Sequence, residues 1–179
     1  MRIIWIILAL ALYSSGQAFA DLYLEGGWQF GSESLVLASD GDSLDAGGGL
    51  KLALGIQNPL TDGSSWRLAV GYLSDSLDAA NGSARIDSLT FEALYLLSQG
   101  RHRVGLGPTL HLAPEYHDSV AGYPAADVRF DDALGFTVHY GYSLQPGLEI
   151  GLRLNEINYR YTGGNIDAGS LGVYLSNGF

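Results

Sequence analysis

Downstream of residue 20, apolar and polar residues alternate in eight segments of about ten residues each, the period of strands with one apolar face. In Asp21–Gly31, Leu22, Leu24, Trp28 and Phe30 share one face and Tyr23, Glu25 and Gln29 the other. Ala46–Gln57 sets Leu50, Leu52, Leu54 and Ile56 against Lys51 and small residues. Trp66–Leu73 sets Trp66, Leu68, Val70 and Tyr72 against Arg67 and Gly71, and Ser88–Leu97 sets Leu89, Phe91, Ala93, Tyr95 and Leu97 against Thr90 and Glu92. Arg103–Leu112 opposes Val104, Leu106, Leu110 and Leu112 to Gly105, Gly107, Thr109 and His111. Pro108 lies on its apolar face and cannot donate to a ladder, so a local bulge is expected there. Phe130–Gly141 carries Leu134, Phe136, Val138 and Tyr140 against Thr137 and His139. Leu148–Tyr161 runs Leu148, Ile150, Leu152, Leu154, then Ile157, Tyr159 and Tyr161, and the step of three predicts a bulge near Asn155–Glu156.

The last segment, Gly169–Phe179, alternates to its final residue: Leu171, Val173, Leu175 and Phe179 against Gly172, Tyr174, Ser176 and Gly178. Chain ends fray unless tied down, so a strand that continues to a terminal aromatic needs neighbours on both edges, which a closed barrel provides. The expected fold is therefore all-β: one closed antiparallel barrel of about eight strands in up-and-down order. The connections alternate long and short, the pattern of membrane barrels with short turns on one rim and long loops on the other.

Alternation alone leaves open which face points outward, since an exported soluble barrel of this size would hold its apolar face inside. Charge placement decides. The four long-loop regions hold 14 acidic residues (Glu33, Asp40, Asp42, Asp45, Asp75, Asp78, Asp87, Glu115, Asp118, Asp127, Asp131, Asp132, Glu156, Asp167) and three basic ones (Arg85, Arg129, Arg160). The strands and short turns hold five of each sign, single charges among Gly, Ala, Ser and Thr. So sparse a face suits a narrow interior better than a solvated exterior, and the apolar face is read as facing lipid. Composition agrees: charged residues are 16%, below the roughly 25% usual in soluble domains, and there are 25 glycines. The absence of Cys excludes disulfides and thiolate metal sites.

Residues 1–20 read as a cleaved signal peptide: Arg2, an apolar stretch Ile3–Tyr13 too short to span a bilayer, and the A-x-A site Ala18-Phe19-Ala20. Cleavage after Ala20 leaves a barrel domain of residues 21–179, with 8 basic and 19 acidic residues once Arg2 is removed.

The cleavage site, the eight alternating segments and the ending Leu171–Phe179 together resemble the small eight-stranded bacterial outer-membrane barrels, the group of the outer membrane protein A transmembrane domain, the opacity proteins and the attachment–invasion proteins. The resemblance implies a bacterial outer-membrane location. It also implies that Leu171, Val173, Leu175 and Phe179 form a signal read by the barrel-assembly machinery. Relatives that bind polyanions do so through basic loops, and the acidic loops here depart from that pattern.

The inward face carries Glu25, Glu92 and Glu149 against Lys51, Arg67 and Arg153, with Arg103 near the short-turn rim. Balanced charges of this kind form either a selectivity filter or an ion-pair network that fills the lumen. An eight-stranded barrel is only wide enough for side chains, which favours the network. His111 and His139 also point inward but lie about eight residues of strand apart, roughly 25 Å, too far to share a metal. Adjacent side chains in His117-Asp118-Ser119 point apart and cannot form a relay. Asp40-Gly-Asp42-Ser-Leu-Asp45 lacks the third ligand and the glycine of a calcium loop. No catalytic, cofactor or metal site is assigned. An acidic outer rim repels lipopolysaccharide phosphates unless divalent cations bridge them, and it disfavours nucleic acid.

The expected function is a non-enzymatic integral outer-membrane barrel with acidic extracellular loops and a structural or surface-interaction role, in contact with outer-membrane lipids and monomeric. The alternatives are a narrow passive, porin-like channel for small solutes and a lipid-A-modifying enzyme.

Overall fold

The computed structural model describes residues 21–37, 42–79, 82–120 and 125–179. Thirteen strands form in these residues: β1 (Asp21–Gly31), β2 (Glu33–Leu37), β3 (Ser43–Ala46), β4 (Gly49–Thr61), β5 (Ser64–Ala79), β6 (Gly82–Gln99), β7 (His102–Val120), β8 (Ala126–Arg129), β9 (Ala133–Gln145), β10 (Leu148–Glu156), β11 (Asn158–Tyr161), β12 (Gly164–Asp167) and β13 (Ser170–Gly178). Eight of them close a barrel in the order β6-β5-β4-β1-β13-β10-β9-β7, with β6 pairing β7 to complete the ring. Every barrel pair is antiparallel and joins neighbours along the chain, apart from the closing pair β1–β13. β13 is held on both edges, by β1 and β10, and the Phe179 amide donates to the Leu22 carbonyl at 2.8 Å.

The apolar face points outward. Leu24, Leu52, Leu106, Leu154 and Leu171 are each 51–53% exposed, while Glu25, Lys51, Arg67 and Arg153 are 3% exposed. A soluble fold does the reverse, so this surface requires lipid. Aromatic residues sit toward the two edges of the apolar band, with Trp28, Phe30, Tyr72 and Phe136 toward the long-loop side and Trp66, Tyr95 and Tyr140 toward the short turns.

Three strands are far longer than a crossing needs. β5, β6 and β7 have 16, 18 and 19 residues against the roughly 10 that span a bilayer. Their excess rises from the long-loop rim as a sheet, extended by β8 on the edge of β7. The hairpins β2–β3 and β11–β12 complete this end. Segments read from sequence as polar loops, such as Ser32–Asp45 and Ser74–Asp87, thus hold paired strands.

Above the membrane band the inside and outside exchange chemistry. Leu44, Leu77, Ile86, Phe130, Ile157 and Tyr159 pack inward as one buried apolar cluster, with Leu35, Val36, Tyr116, Val128 and Ile166 against it. Where the outer medium is water, the apolar side chains belong inside. This corrects the reading of Ile157 and Tyr159. No bulge turns them outward; the alternation of β10 continues through Arg153 and Asn155 to Ile157 and Tyr159, which are 1% exposed. The apolar residues changed face while the backbone kept its parity.

The bulge expected at Pro108 is absent. Glu92 pairs Thr109 and Tyr95 pairs Leu106, the same register on either side of Pro108, which projects outward into a lipid-facing position and leaves the register intact. The irregularity lies higher on β7, where Leu112 pairs Leu89 but Glu115 pairs Asp87, so β7 carries one extra residue. Ala113 sits there with φ of +40°, a backbone region costly for a residue with a Cβ, and its amide is held by Asp132 Oδ1 at 2.9 Å. The extra residue exchanges the two faces of β7: His111 points inward below it, Tyr116 and Asp118 above it.

Candidate functional site: the charged lumen

Parity places Glu25 (β1), Lys51 (β4), Arg67 (β5), Glu92 (β6), Glu149 and Arg153 (β10) in the lumen, and all six are buried. Their contacts form one chain of alternating sign. The Lys51 ammonium donates to Glu92 Oε1. Glu92 Oε2 lies 3.3 Å from Arg153 Nη1. Arg153 grips Glu25 with both terminal nitrogens, at 2.8 and 3.0 Å, a two-point geometry that fixes orientation as well as charge. Arg67 stands 3.7 Å from Glu25 and 3.6 Å from Glu149. Arg103, partly exposed at the short-turn mouth, closes the chain on Glu149 at 2.8 Å.

Residues that sequence reasoning did not single out complete the cluster. Gln57 Oε1 accepts from Arg67 Nη2 at 3.0 Å and from Arg103 Nη1 at 3.3 Å. Tyr174 donates to Glu149 at 3.0 Å and lies 2.7 Å from His139 Nε2, with its ring stacked on the imidazole at 4.6 Å. The Arg67 guanidinium rests 4.3 Å over the Tyr23 ring. Inward parity was the available signal for Tyr23, Gln57 and Tyr174. Glycines make the space: a Cβ on Gly141 would collide with the Glu149 carboxyl, and one on Gly151 with the Tyr174 hydroxyl.

Nearer the long-loop rim the lining turns neutral. Asn155 donates to Gln29 at 3.2 Å and to Ser170 at 3.0 Å, and accepts from Thr137 at 2.8 Å. His111 Nδ1 meets the Tyr159 hydroxyl at 2.7 Å. His139 lies opposite Gly105, six residues down β7 from His111, and the two imidazoles have different partners. Beyond Tyr159 the apolar cluster closes the bore. At the other end a cavity of about 150 Å³ opens to the short-turn side, lined by Tyr23, Gln57, Arg67, Arg103, Glu149 and Ser176 among others.

On the outer surface, His117 Nδ1 lies 2.7 Å from Asp127 and its Nε2 lies 3.7 Å from Glu115, so its described contacts are carboxylates. Asp118 turns the other way, to the Tyr116 hydroxyl and the Ala126 amide. Asp45 accepts from Ser34 at 2.7 Å, while Asp40 of the calcium-like stretch lies outside the described residues. The signal-peptide reading of residues 1–20 also falls outside them.

A closed eight-stranded antiparallel barrel with an apolar exterior, a charged interior and one long-loop end is the fold of the small outer-membrane β-barrels. The chain is similar to the crystal structure of Neisserial surface protein A, 19% identical, with a TM-score of 0.60 over 92% of this chain and all of that one. It is also similar to Ail, the attachment invasion locus protein of Yersinia pestis, in complex with the heparin analogue sucrose octasulfate. That match is 9% identical with a TM-score of 0.54, over 89% of this chain and 97% of that one. A major outer membrane protein from Thermus thermophilus matches at 14% identity and a TM-score of 0.51, over 90% of this chain and all of that one. These likenesses are of fold. No protein-family model matches the chain, and no curated protein matches it.

Proposed function

We propose that this chain is an integral protein of a bacterial outer membrane, exported with cleavage after Ala20, that acts without catalysis as a structural or surface-interacting barrel. Its lumen is closed. The observation that carries this reading is the double obstruction of the bore: an alternating chain from Lys51 to Arg103 fills the membrane section, and the apolar cluster of Leu44, Ile157 and Tyr159 fills the section above it. Each ion pair occupies the path it would otherwise line. The acidic outer surface is left to meet the environment, with divalent cations as bridges to lipopolysaccharide. The final strand, with Leu171, Val173, Leu175 and Phe179 on its outward face, is the segment presented to the assembly machinery. The chain needs no partner subunit for closure, since its first and last strands pair with each other.

The cavity at the short-turn mouth favours a second reading, a narrow passive channel, in which Arg103 and Glu149 would part to admit solute. Planar-bilayer recording separates the two. Purified protein is expected to show no steady conductance, and large regular single-channel steps would establish the channel.

A further inference from the structure

We propose that the short-turn rim between β7 and β9 holds a seat for the phosphate of an anionic phospholipid, formed by Arg101 and His102 above an apolar track on the barrel wall. The inference rests on the membrane-barrel reading and adds a ligand to it.

The seat begins with a turn. Gln99 pairs His102, leaving Gly100 and Arg101 as a two-residue loop, and Gly100 takes φ of +61° as the first central residue of a tight hairpin. Arg101 is thereby carried to the rim, exposed, and among the described residues its guanidinium has no partner. Two cations near the opposite rim are engaged: Arg85 lies 2.6 Å from Asp87, and Arg129 lies 3.4 Å from Glu115. An unneutralised guanidinium beside a lipid-facing wall calls for an oxyanion, which it can meet with two donors at once.

Next to it, His102 points outward. Its Nδ1 lies 2.8 Å from the Tyr140 hydroxyl, and its ring packs edge-on against Tyr142 at 5.3 Å. These contacts fix the imidazole and leave Nε2 without a partner among the described residues. Below the two polar groups the wall is apolar at once: His102 pairs Tyr142, Val104 pairs Tyr140, and Leu106 pairs Val138. Val104, Leu106, Val138 and Tyr140 are 40–52% exposed. A cationic head directly above a lipid-facing track has the polarity of one phospholipid molecule. None of the described contacts of Arg101 or His102 is a carboxylate, so they offer no counter-ion to the ammonium of a choline or ethanolamine head. A phosphatidylglycerol-type head, anionic with free hydroxyls, fits better.

The test uses the full barrel in nanodiscs of mixed phosphatidylcholine and phosphatidylglycerol, released intact for native mass spectrometry. Wild type is expected to retain one phosphatidylglycerol above the phosphatidylcholine background. Arg101→Gln should lower that occupancy roughly five-fold, the usual weight of one basic residue near an anionic lipid surface. Arg129→Gln, at the other rim, should leave it unchanged, and inorganic phosphate should not displace the lipid. Equal retention of both lipids by wild type, or unchanged retention by Arg101→Gln, overturns the seat while leaving the barrel reading intact. Failure of the wild type to insert overturns the barrel reading instead.

Discussion

The Tyr159 hydroxyl and His111 Nδ1 lie 2.7 Å apart, and this bond joins two regions built by opposite rules. His111 closes the polar lumen at its upper end. Tyr159 hangs from the apolar cap, its ring 5.4 Å from that of Phe130, and reaches down with its one polar atom. Both residues are at least 97% buried, so neither group has water to fall back on.

Tyr159→Phe should therefore cost about 1–3 kcal/mol by stranding the imidazole nitrogen. Leu44→Ala, at a fully buried site in the cap, should cost about 2–5 kcal/mol. Both losses should be local. Amide hydrogen exchange should accelerate in β2, β3, β11 and β12 and stay slow in β1 and β13; uniform acceleration through the barrel would show that cap and barrel are one cooperative unit.

The lumen responds differently. Arg153→Met leaves Glu25 and Glu92 buried without their shared cation, at a cost of up to ~3–5 kcal/mol. The double variant Arg153→Met with Glu25→Gln should recover part of that loss, because fewer charges are then stranded. Urea unfolding from lipid vesicles measures both. No additional recovery in the double variant would mean that the two residues contribute independently of their contact.

The membrane section of the fold was legible because its solvent is constant. From Leu22 to Phe30, or from Leu148 to Leu154, one face meets lipid throughout, and period-two alternation follows. The cap was not legible, because the same strand meets water a few residues later and the apolar side chains change faces. Leu154 and Ile157 therefore looked like a register slip, and Leu77 and Ile86, alternating with Asp78, Arg85 and Asp87, looked like loop. The charges of the lumen were visible by parity, since inward residues occupy every second position. Their partners were not: which carboxylate meets which base depends on strand stagger, and Glu25 and Arg153 are 128 residues apart.

Leu52→Arg or Val138→Arg puts a cation against hydrocarbon at half-exposed outward positions, 53% and 42% exposed. Each should destabilise the folded barrel in lipid by about 2–4 kcal/mol. Wild-type stability in either variant, by urea titration in vesicles, would reverse the assignment of the faces.

The β7–β8 edge should loosen as pH rises. Asp127, hydrogen-bonded to the exposed His117, holds the imidazole pKa above its ordinary value, with Glu115 and Asp87 adding to the effect. Arg85, opposite His117 on β6, and Arg129 on β8 are the cations facing the same patch. A raised folded-state pKa means the stabilisation is complete below the unfolded value near 6.5 and is lost as pH climbs through the folded one. Exposure and salt keep the effect small. Hydrogen exchange at Ala126–Arg129, corrected for intrinsic rate, should rise across that window in wild type and stay flat in His117→Gln.

Deletion of Phe179 should slow assembly more than it weakens the finished barrel. Its amide N–H donates one hydrogen bond to the Leu22 carbonyl at the rim, and the residue is 70% exposed. Pulse-chase measurement of the heat-resistant form should show delayed appearance, and normal kinetics would remove Phe179 from the assembly signal.

The exchange of faces at Ala113 has a mechanical meaning. Below it the chain is shaped for oil, and above it β5 to β8 spread into a head with a greasy centre and a salted skin. Such a head cannot follow its own shaft back through the bilayer. Withdrawal would drag Asp87, Glu115, Arg85 and Arg129 across hydrocarbon, each at a steep cost. The molecule is set in the membrane as a rivet is set in plate: the shaft passes one way, the head forms on the far side, and only unmaking the head lets it out.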